Sequence, residues 1–267
     1  MRIGVSTACM YPTITELALS NLLDMGVRDF EIFFNTSSEL DRSFVKTLKK
    51  GVRHYGAKVR SLHPYSSMME PFMFFSNYER RFTDMIEDYK RYFDAAKTLD
   101  ADLVVIHGDK LPAYSPDEKY FERFSRIIEI GKKFDVIVAQ ENVNLHRSQN
   151  VDFLCRMREW IGDDIKFVFD IKQAVRAGYD PYEFARRLGN AIIHVHVSDN
   201  DPSNTCLLPG KGVMDYAKLK SVLDANGCDP SWVIEVYRSN FDEPVDLWKT
   251  VQWLTNETGA EPIGKKR

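Results

Sequence analysis

Hydrophobic positions along the chain follow two alternating periods. Eight short runs rich in β-branched and aromatic residues, at 2–6, 29–33, 58–63, 102–107, 136–141, 165–170, 192–197 and 232–236, have the length and composition of strands. Between them apolar residues recur at helical spacing. The segment from Thr13 to Met25 closes at Gly26, a predicted C-cap, and the segment from Asp41 to Arg53 is followed by Gly56. A long charged stretch runs from Tyr78 to Leu99. Ser115-Pro116-Asp117-Glu118 supplies an N-cap, a proline at the first helical position and acids in the first turn. Asp180-Pro181, Asp215 and Glu243-Pro244 open three more helices.

Strands separated by helices imply a parallel sheet, because parallel neighbours need crossover connections. Eight such units are the number that closes a (β/α)8 barrel. An open doubly wound sheet is the alternative. The turn after the first strand, Ser6-Thr7-Ala8-Cys9-Met10, lacks the glycine-rich dinucleotide fingerprint, so no nucleotide cofactor is expected. At ~150 residues per domain the 267 residues would make about two domains, yet they fit one barrel with little left over. The expectation is a single α/β barrel over 1–263 and a frayed basic tail over 264–267.

Composition changes the picture only by exclusion. Apolar residues at 44% and charged residues at 28% exclude disordered, collagenous and coiled-coil classes. The longest aliphatic run, Leu103-Val104-Val105-Ile106, falls far short of the ~20 residues of a membrane helix. A net charge of −3 gives no general basic footprint and argues against a nucleic-acid partner. Cys9, Cys155, Cys206 and Cys228 are scattered with no C-x-x-C spacing and read as free thiols of a reducing compartment. Ser6 and Thr7 interrupt the apolar start of the chain, which argues against a signal peptide; the expected location is the cytoplasm.

The C-terminal ends of parallel barrel strands open onto one face, and that face carries the chemistry. Six predicted strands bear a titratable group there: His63, His107, Glu141, Asp170, His196 and Glu235. Side chains two apart share a face of a strand. Ala139 and Ile137 therefore lie below Glu141, Val168 below Asp170, Val105 below His107, Ser61 and Val59 below His63, and Val233 below Glu235. The pattern is a polar cap over an apolar interior. His194 lies one layer beneath His196 and reads as a core or supporting group.

Each of these residues alone is as readily a structural hydrogen-bonding partner. Four consecutive strands supplying Glu141, Asp170, His196 and Glu235 are a different matter. Three crowded carboxylates resist ionising unless a cation compensates them, and one divalent cation is the simplest resolution. Mixed oxygen and imidazole donors suit Mn²⁺, Zn²⁺, Co²⁺ or Mg²⁺. His63 and His107 are candidates for a second metal or for substrate. His146, in a loop above Glu141, is a candidate substrate contact, whereas His54 reads as a helix-end residue. Lys172, Gln173, Arg147, Lys211 and Arg238 are placed in loops beyond the strand ends, as substrate-binding candidates or as solvated surface groups. If several converge, a phosphorylated or acidic sugar fits them. Glu31 and Asn35 at the end of the second strand could bind hydroxyls or serve only as structural hydrogen-bonding groups.

Several local motifs carry a family resemblance. Leu62-His63-Pro64-Tyr65, Val105-Ile106-His107-Gly108, Gln140-Glu141-Asn142, Phe169-Asp170-Ile171 with Ala177-Gly178-Tyr179-Asp180, His194-Val195-His196-Val197-Ser198-Asp199 and Pro209-Gly210-Lys211-Gly212 occur in this order. In order and spacing they resemble the xylose-isomerase-like superfamily, which includes sugar phosphate isomerases/epimerases, ketose 3-epimerases and endonuclease IV. The resemblance spans nearly the whole chain. It implies one divalent cation held by Glu141, Asp170, His196 and Glu235, with Glu141 and Glu235 as catalytic proton carriers on either side of a sugar or sugar-phosphate substrate. The implied activity is isomerisation or epimerisation through a metal-stabilised ene-diolate; the alternatives are an inosose-type dehydratase that expels a hydroxyl from the same intermediate, or a DNA-repair phosphodiesterase like endonuclease IV.

The departures from that pattern narrow it. Gln173 stands where the family often has histidine, Arg147 where related ketose 3-epimerases have glutamate, and Pro202 where they have arginine. A free ketohexose substrate is therefore in question. His63, His107 and Glu141 match ligands of a further metal in endonuclease IV. Gln173, and the absence of histidine from Asp199 to Leu208, leave the third metal of that enzyme without ligands. The partner implied is a small sugar, with no membrane, and the sequence leaves room for a homo-oligomer.

Overall fold

In a computed structural model, which describes residues 1–113 and 115–261, each of the eight runs forms a strand. The order is β1 (Ile3–Ser6), α1 (Thr15–Met25), β2 (Asp29–Phe33), α2 (Arg42–His54), β3 (Lys58–His63), α3 (Glu70–Met73), α4 (Glu79–Leu99), β4 (Leu103–Ile106) and α5 (Asp117–Lys132). There follow β5 (Ile137–Glu141), α6 (Val151–Ile161), β6 (Lys166–Asp170), α7 (Ile171–Arg176), α8 (Pro181–Leu188), β7 (Ile192–Val197), α9 (Tyr216–Ala225), β8 (Ser231–Ile234) and α10 (Val245–Thr258). Neighbouring strands are parallel, and β8 pairs with β1 to close a single (β/α)8 barrel. The expected tail at 264–267 lies outside the described residues.

Local chemistry explains the boundaries. On α4, Phe82, Met85, Ile86, Tyr89, Phe93, Ala96 and Leu99 recur at helical spacing and are buried, so one stripe faces the strands. Gly26 ends α1 at φ 111, a left-handed conformation in which a Cβ would be strained. Asp180 and Asp215 cap α8 and α9 by accepting from backbone N–H groups two or three residues on. The predicted Ser115 cap shifts by one: Pro116 precedes the first turn of α5, and no side chain caps it. Helices α3 and α7 carry too few turns to show a periodic stripe, and the sequence pattern passes over them.

The large apolar core lies between the strands and the surrounding helices. A smaller cluster of Leu103, Val105, Ala139 and Val168, with Ile193 against it, fills the barrel itself. Simple alternation fails at Val59. The β2–β3 register jumps from Phe30↔Val59 to Glu31↔Ser61, leaving Arg60 as an extra residue. Val59 therefore packs in the outer core, while Ser61 stays on the inner side beside Glu31. Ile137, also expected inside, is exposed at the start of β5. All four cysteines are free, and among the described residues no helix is long and apolar enough to cross a membrane.

Candidate functional site

The strand ends bring the expected titratable groups together. Glu141 ends β5, Asp170 ends β6 and His196 is the penultimate residue of β7. Glu235 lies one step beyond β8, where its amide still donates to the Val197 carbonyl at 3.0 Å. Each of these four offers one donor atom, and the four atoms lie within 4.8 Å of one another. His196 Nδ1 is 3.2 Å from Glu235 Oε2, 3.4 Å from Glu141 Oε1 and 3.5 Å from Asp170 Oδ2.

Backbone anchors set those positions. Asn142 clamps the ends of β5 and β6: its Nδ2 donates to the Asp170 carbonyl at 2.9 Å, and its Oδ1 accepts from the Asp170 amide at 2.7 Å. Asp170 Oδ1 accepts from the Gln173 amide and so caps α7, which leaves Oδ2 facing the cluster. The Gln140 side chain donates to the carbonyls of Ile106, His107 and Glu141, tying the ends of β4 and β5 together. Gly108, at φ 87, donates to Glu70 at 2.6 Å and fixes the turn after His107. A side chain at Gly108 would collide with the Tyr120 hydroxyl.

A second group shares one member with the first. Glu141 Oε2 lies 3.0 Å from His107 Nε2 and 3.6 Å from His63 Nε2, and the two histidine nitrogens are 2.9 Å apart. The two oxygens of Glu141 thus face different clusters. His63 is held against the Phe33 ring at 4.8 Å between centroids.

Beneath His196 sits Glu31, fully buried. It accepts from Ser6 Oγ at 3.0 Å, from Ser61 Oγ at 2.8 Å and from His196 Nε2 at 3.0 Å. An Nε2–H bonded to Glu31 turns Nδ1 of the same ring toward the carboxylates. This carboxylate–imidazole pairing is the arrangement that orients metal-ligating histidines. His194 lies deeper, with Nδ1 2.6 Å from Ser231 Oγ and Nε2 3.2 Å from Ser61 Oγ.

Burial disfavours charge throughout this cup, and the outcome at each group depends on its neighbours. Burial opposes a charge on His196, but Glu235, Glu31 and Glu141 outweigh it and hold the imidazole well above its usual range. Burial would raise Glu141, yet His107 and His196 hold it well below the carboxylate range. Glu235 is lowered in the same way, burial being overcome by His196 and Lys172. At Asp170 burial prevails over Lys172, and its pKa is raised.

The residues present fit a divalent cation. Donors bonded to one cation at ~2.1 Å stand about 3.0–3.4 Å apart in octahedral or tetrahedral coordination. The contacts around His196 Nδ1 nearly match that spacing, and His196 Nδ1 is buried without a hydrogen-bond partner. Unpaired buried polar atoms call for a ligand.

The other predicted contacts need correction. Lys172 is not in a loop: it is the second residue of α7, buried, with Nζ bonded to both Asp170 and Glu235. Arg147 is spent on structure, donating to the carbonyls of Ser115 and Pro116 beside Asp109 and Asp117. Arg238 donates to the Phe241 and Asp242 carbonyls. Gln173 lies on α7, and its Oε1 accepts from the Asn144 amide at 3.1 Å. Lys211 remains exposed on the loop after β7, and His54 ends α2. His146 bonds the Asn144 carbonyl through Nδ1, with its pKa held down to about 4 by burial. Asn35 bridges Thr15 and Glu39. The basic candidates therefore do not converge. Of the two readings offered for Glu31, the structure shows the structural hydrogen-bonding one; its bond to His196 is the part that the sequence did not show.

A closed eight-stranded barrel with a cup of carboxylates and imidazoles at its strand ends defines a class of TIM barrel. The chain belongs to the xylose isomerase-like TIM barrel family, whose profile matches residues 19–257. A protein of Mycobacterium leprae is 25% identical over 266 residues, 90% of each chain. Among solved structures, a D-tagatose 3-epimerase-like protein is similar at a TM-score of 0.79 and 22% identity, over 97% of this chain and 98% of its own. The IolI protein with a binding zinc atom is similar at a TM-score of 0.78 and 16% identity, over 97% and 98%. At these identities the structural likeness shows the fold.

Proposed function

We propose that the chain is a divalent-metal-dependent sugar isomerase or epimerase in which Glu141 and Glu235 move the proton. The observation that carries this reading is the convergence of one donor atom from each of four successive strand ends. The zinc in the IolI structure and the epimerase likeness of another neighbour support it.

Glu141, Asp170, His196 and Glu235 would hold the cation. When bound, a divalent cation polarises a substrate carbonyl and its neighbouring hydroxyl and so acidifies the C–H between them. Glu141 and Glu235 reach the cup from β5 and from beyond β8, with two strands between them, and so stand on different sides of a sugar lying across it. Surrounding histidines, with Lys172 beside Glu235, keep both ionised, so each can take a proton from carbon and return it. Side-chain exposure of 14% at Glu235 against 2% at Glu141 makes Glu235 the more accessible base. His63 and His107 border the cup and can donate to sugar hydroxyls.

A second reading, phosphodiester hydrolysis with two cations, draws on the grouping of His63, His107 and Glu141. Gln173, engaged with the Asn144 amide, and a β7–α9 loop without histidine weigh against it.

The test is exchange in heavy water with Mn²⁺ and a panel of free and phosphorylated sugars. Deuterium entering the carbon beside the carbonyl is the expected result. No exchange with any sugar, together with no bound cation in the purified protein, overturns the reading.

A further inference from the structure

Lys172 is the one basic side chain of those expected near the site that reaches it, and it does so from an unexpected direction. Asp170 caps α7, and Lys172 curls back over that cap so that its ammonium lies between Asp170 Oδ2 and Glu235 Oε2. Those are the same two oxygens that stand 3.5 and 3.2 Å from His196 Nδ1 and face the centre of the cluster. The ammonium therefore supplies, from within the chain, the compensating charge that three crowded carboxylates require. An ammonium and a divalent ion cannot both sit between one pair of oxygens, because two cations a few ångströms apart repel strongly in a buried site. Lysine suits an exchange of this kind. Its charge sits on a flexible four-carbon stem and bonds as a point, not as a planar fork.

We propose that Lys172 is a resident counter-cation, which holds Asp170 and Glu235 together when no metal is bound and must leave them when a divalent ion enters. Resting on the reading of the four-residue cup as a metal centre, this makes metal affinity a property set by Lys172 as well as by the four ligands. The displaced ammonium moves toward the mouth of the cup, on the side where Glu235 is partly open. A ligand that draws Lys172 away then tightens metal binding, and by reciprocity the metal tightens that ligand.

The experiment titrates metal-free full-length protein with Mn²⁺ alone by calorimetry, comparing wild type with Lys172→Met, which keeps the stem and removes the charge. Circular dichroism checks the fold of the variant. The expected result is Mn²⁺ binding at least tenfold tighter in K172M. In parallel, amine-selective reductive methylation of the wild type is read by mass spectrometry. Modification of Lys172 is expected to be low without metal and to rise at saturating Mn²⁺. Equal Mn²⁺ affinity in the two proteins, or unchanged labelling of Lys172 once Mn²⁺ is bound, overturns the counter-cation role and leaves the metal centre standing. Failure of both proteins to bind Mn²⁺ removes the metal centre, and this inference with it.

Discussion

Replacing Glu31 with glutamine removes a charge from the layer beneath the cup while keeping its shape, which makes its consequences separable. Glu31 accepts three hydrogen bonds: one on Oε1 from Ser6, and two on Oε2 from Ser61 and His196. In Glu31→Gln the amide oxygen can keep the Ser61 and His196 bonds. The new NH2 faces the Ser6 hydroxyl, which can rotate to accept it. The bond count survives and the charge does not. A hydrogen bond to a charged group contributes about 1.5–3 kcal/mol and a neutral one about 1, which over three bonds sets a ceiling of about 1.5–6 kcal/mol; relief of the penalty for burying a carboxylate offsets most of it, so the expected stability loss is about 1–2 kcal/mol. For a domain of this size that lowers Tm by about 2–8 °C.

Glu31→Ala is harsher, because it leaves three buried donors unpaired at about 1–3 kcal/mol each. The larger effect of E31A falls on the metal. His196 presents Nδ1 to the carboxylates only while Nε2 is bonded to Glu31, and loss of such a partner typically weakens metal binding 10–100-fold. That corresponds to roughly 1.4–2.7 kcal/mol. Calorimetric titration with Mn²⁺, beside thermal unfolding with and without metal, measures both quantities. E31A binding Mn²⁺ within a factor of two of wild type would refute the role of Glu31 in orienting His196, and E31Q, which keeps that bond, should fall between the two.

Three further outcomes follow from the same structure. Glu235→Gln should reduce proton exchange into substrate by about 10²–10⁴-fold, the usual contribution of a positioned base, while the protein stays folded; exchange at the wild-type rate removes Glu235 from the chemistry. His146 is held from the ordinary 6.5 down to about 4, chiefly by burial, so the folded ring stays neutral where the unfolded one already takes a proton. Its contribution to stability is therefore full above pH ~6.5 and fades as pH falls toward 4, amounting to about 2 kcal/mol for a partly exposed ring. Unfolding free energies from urea titrations at pH 7 and pH 4.5 should differ less in His146→Gln than in wild type by that amount, and parallel shifts would contradict it. Phe93→Ala, which empties a fully buried position on α4 packed against Tyr89 and Phe134, should cost about 3–5 kcal/mol in urea unfolding; a loss below 1 kcal/mol would mean that the core there collapses freely.

The barrel was legible because its signals are local and repeated. Each strand is a short β-branched run, each helix has a stripe or a cap, and eight repetitions leave few topologies to consider. The four cup residues were legible for the same reason, since strand parity and position at the strand end follow from counting. What counting cannot see is a change of count. The extra residue at Arg60 turns Val59 outward while keeping Ser61 inward, and nothing in the spacing of apolar residues marks it.

The loop residues show a second kind of blindness. Charge in a sequence does not say which partner will take it. Arg147 and Arg238 are equipped to hold an anion, yet backbone carbonyls claim them: those of Ser115 and Pro116 in the loop before α5 for Arg147, and those of Phe241 and Asp242 in its own loop for Arg238. Lys172 goes the other way, because the nearest uncompensated charge is the carboxylate pair two residues before it and across the barrel mouth. Crowded acids demand a cation, and in the sequence alone a metal is the simplest one. The structure adds that the chain carries a cation of its own to the same oxygens. On the proposed metal reading, occupancy would be the balance between an ammonium tethered at high local concentration and a free ion of twice the charge.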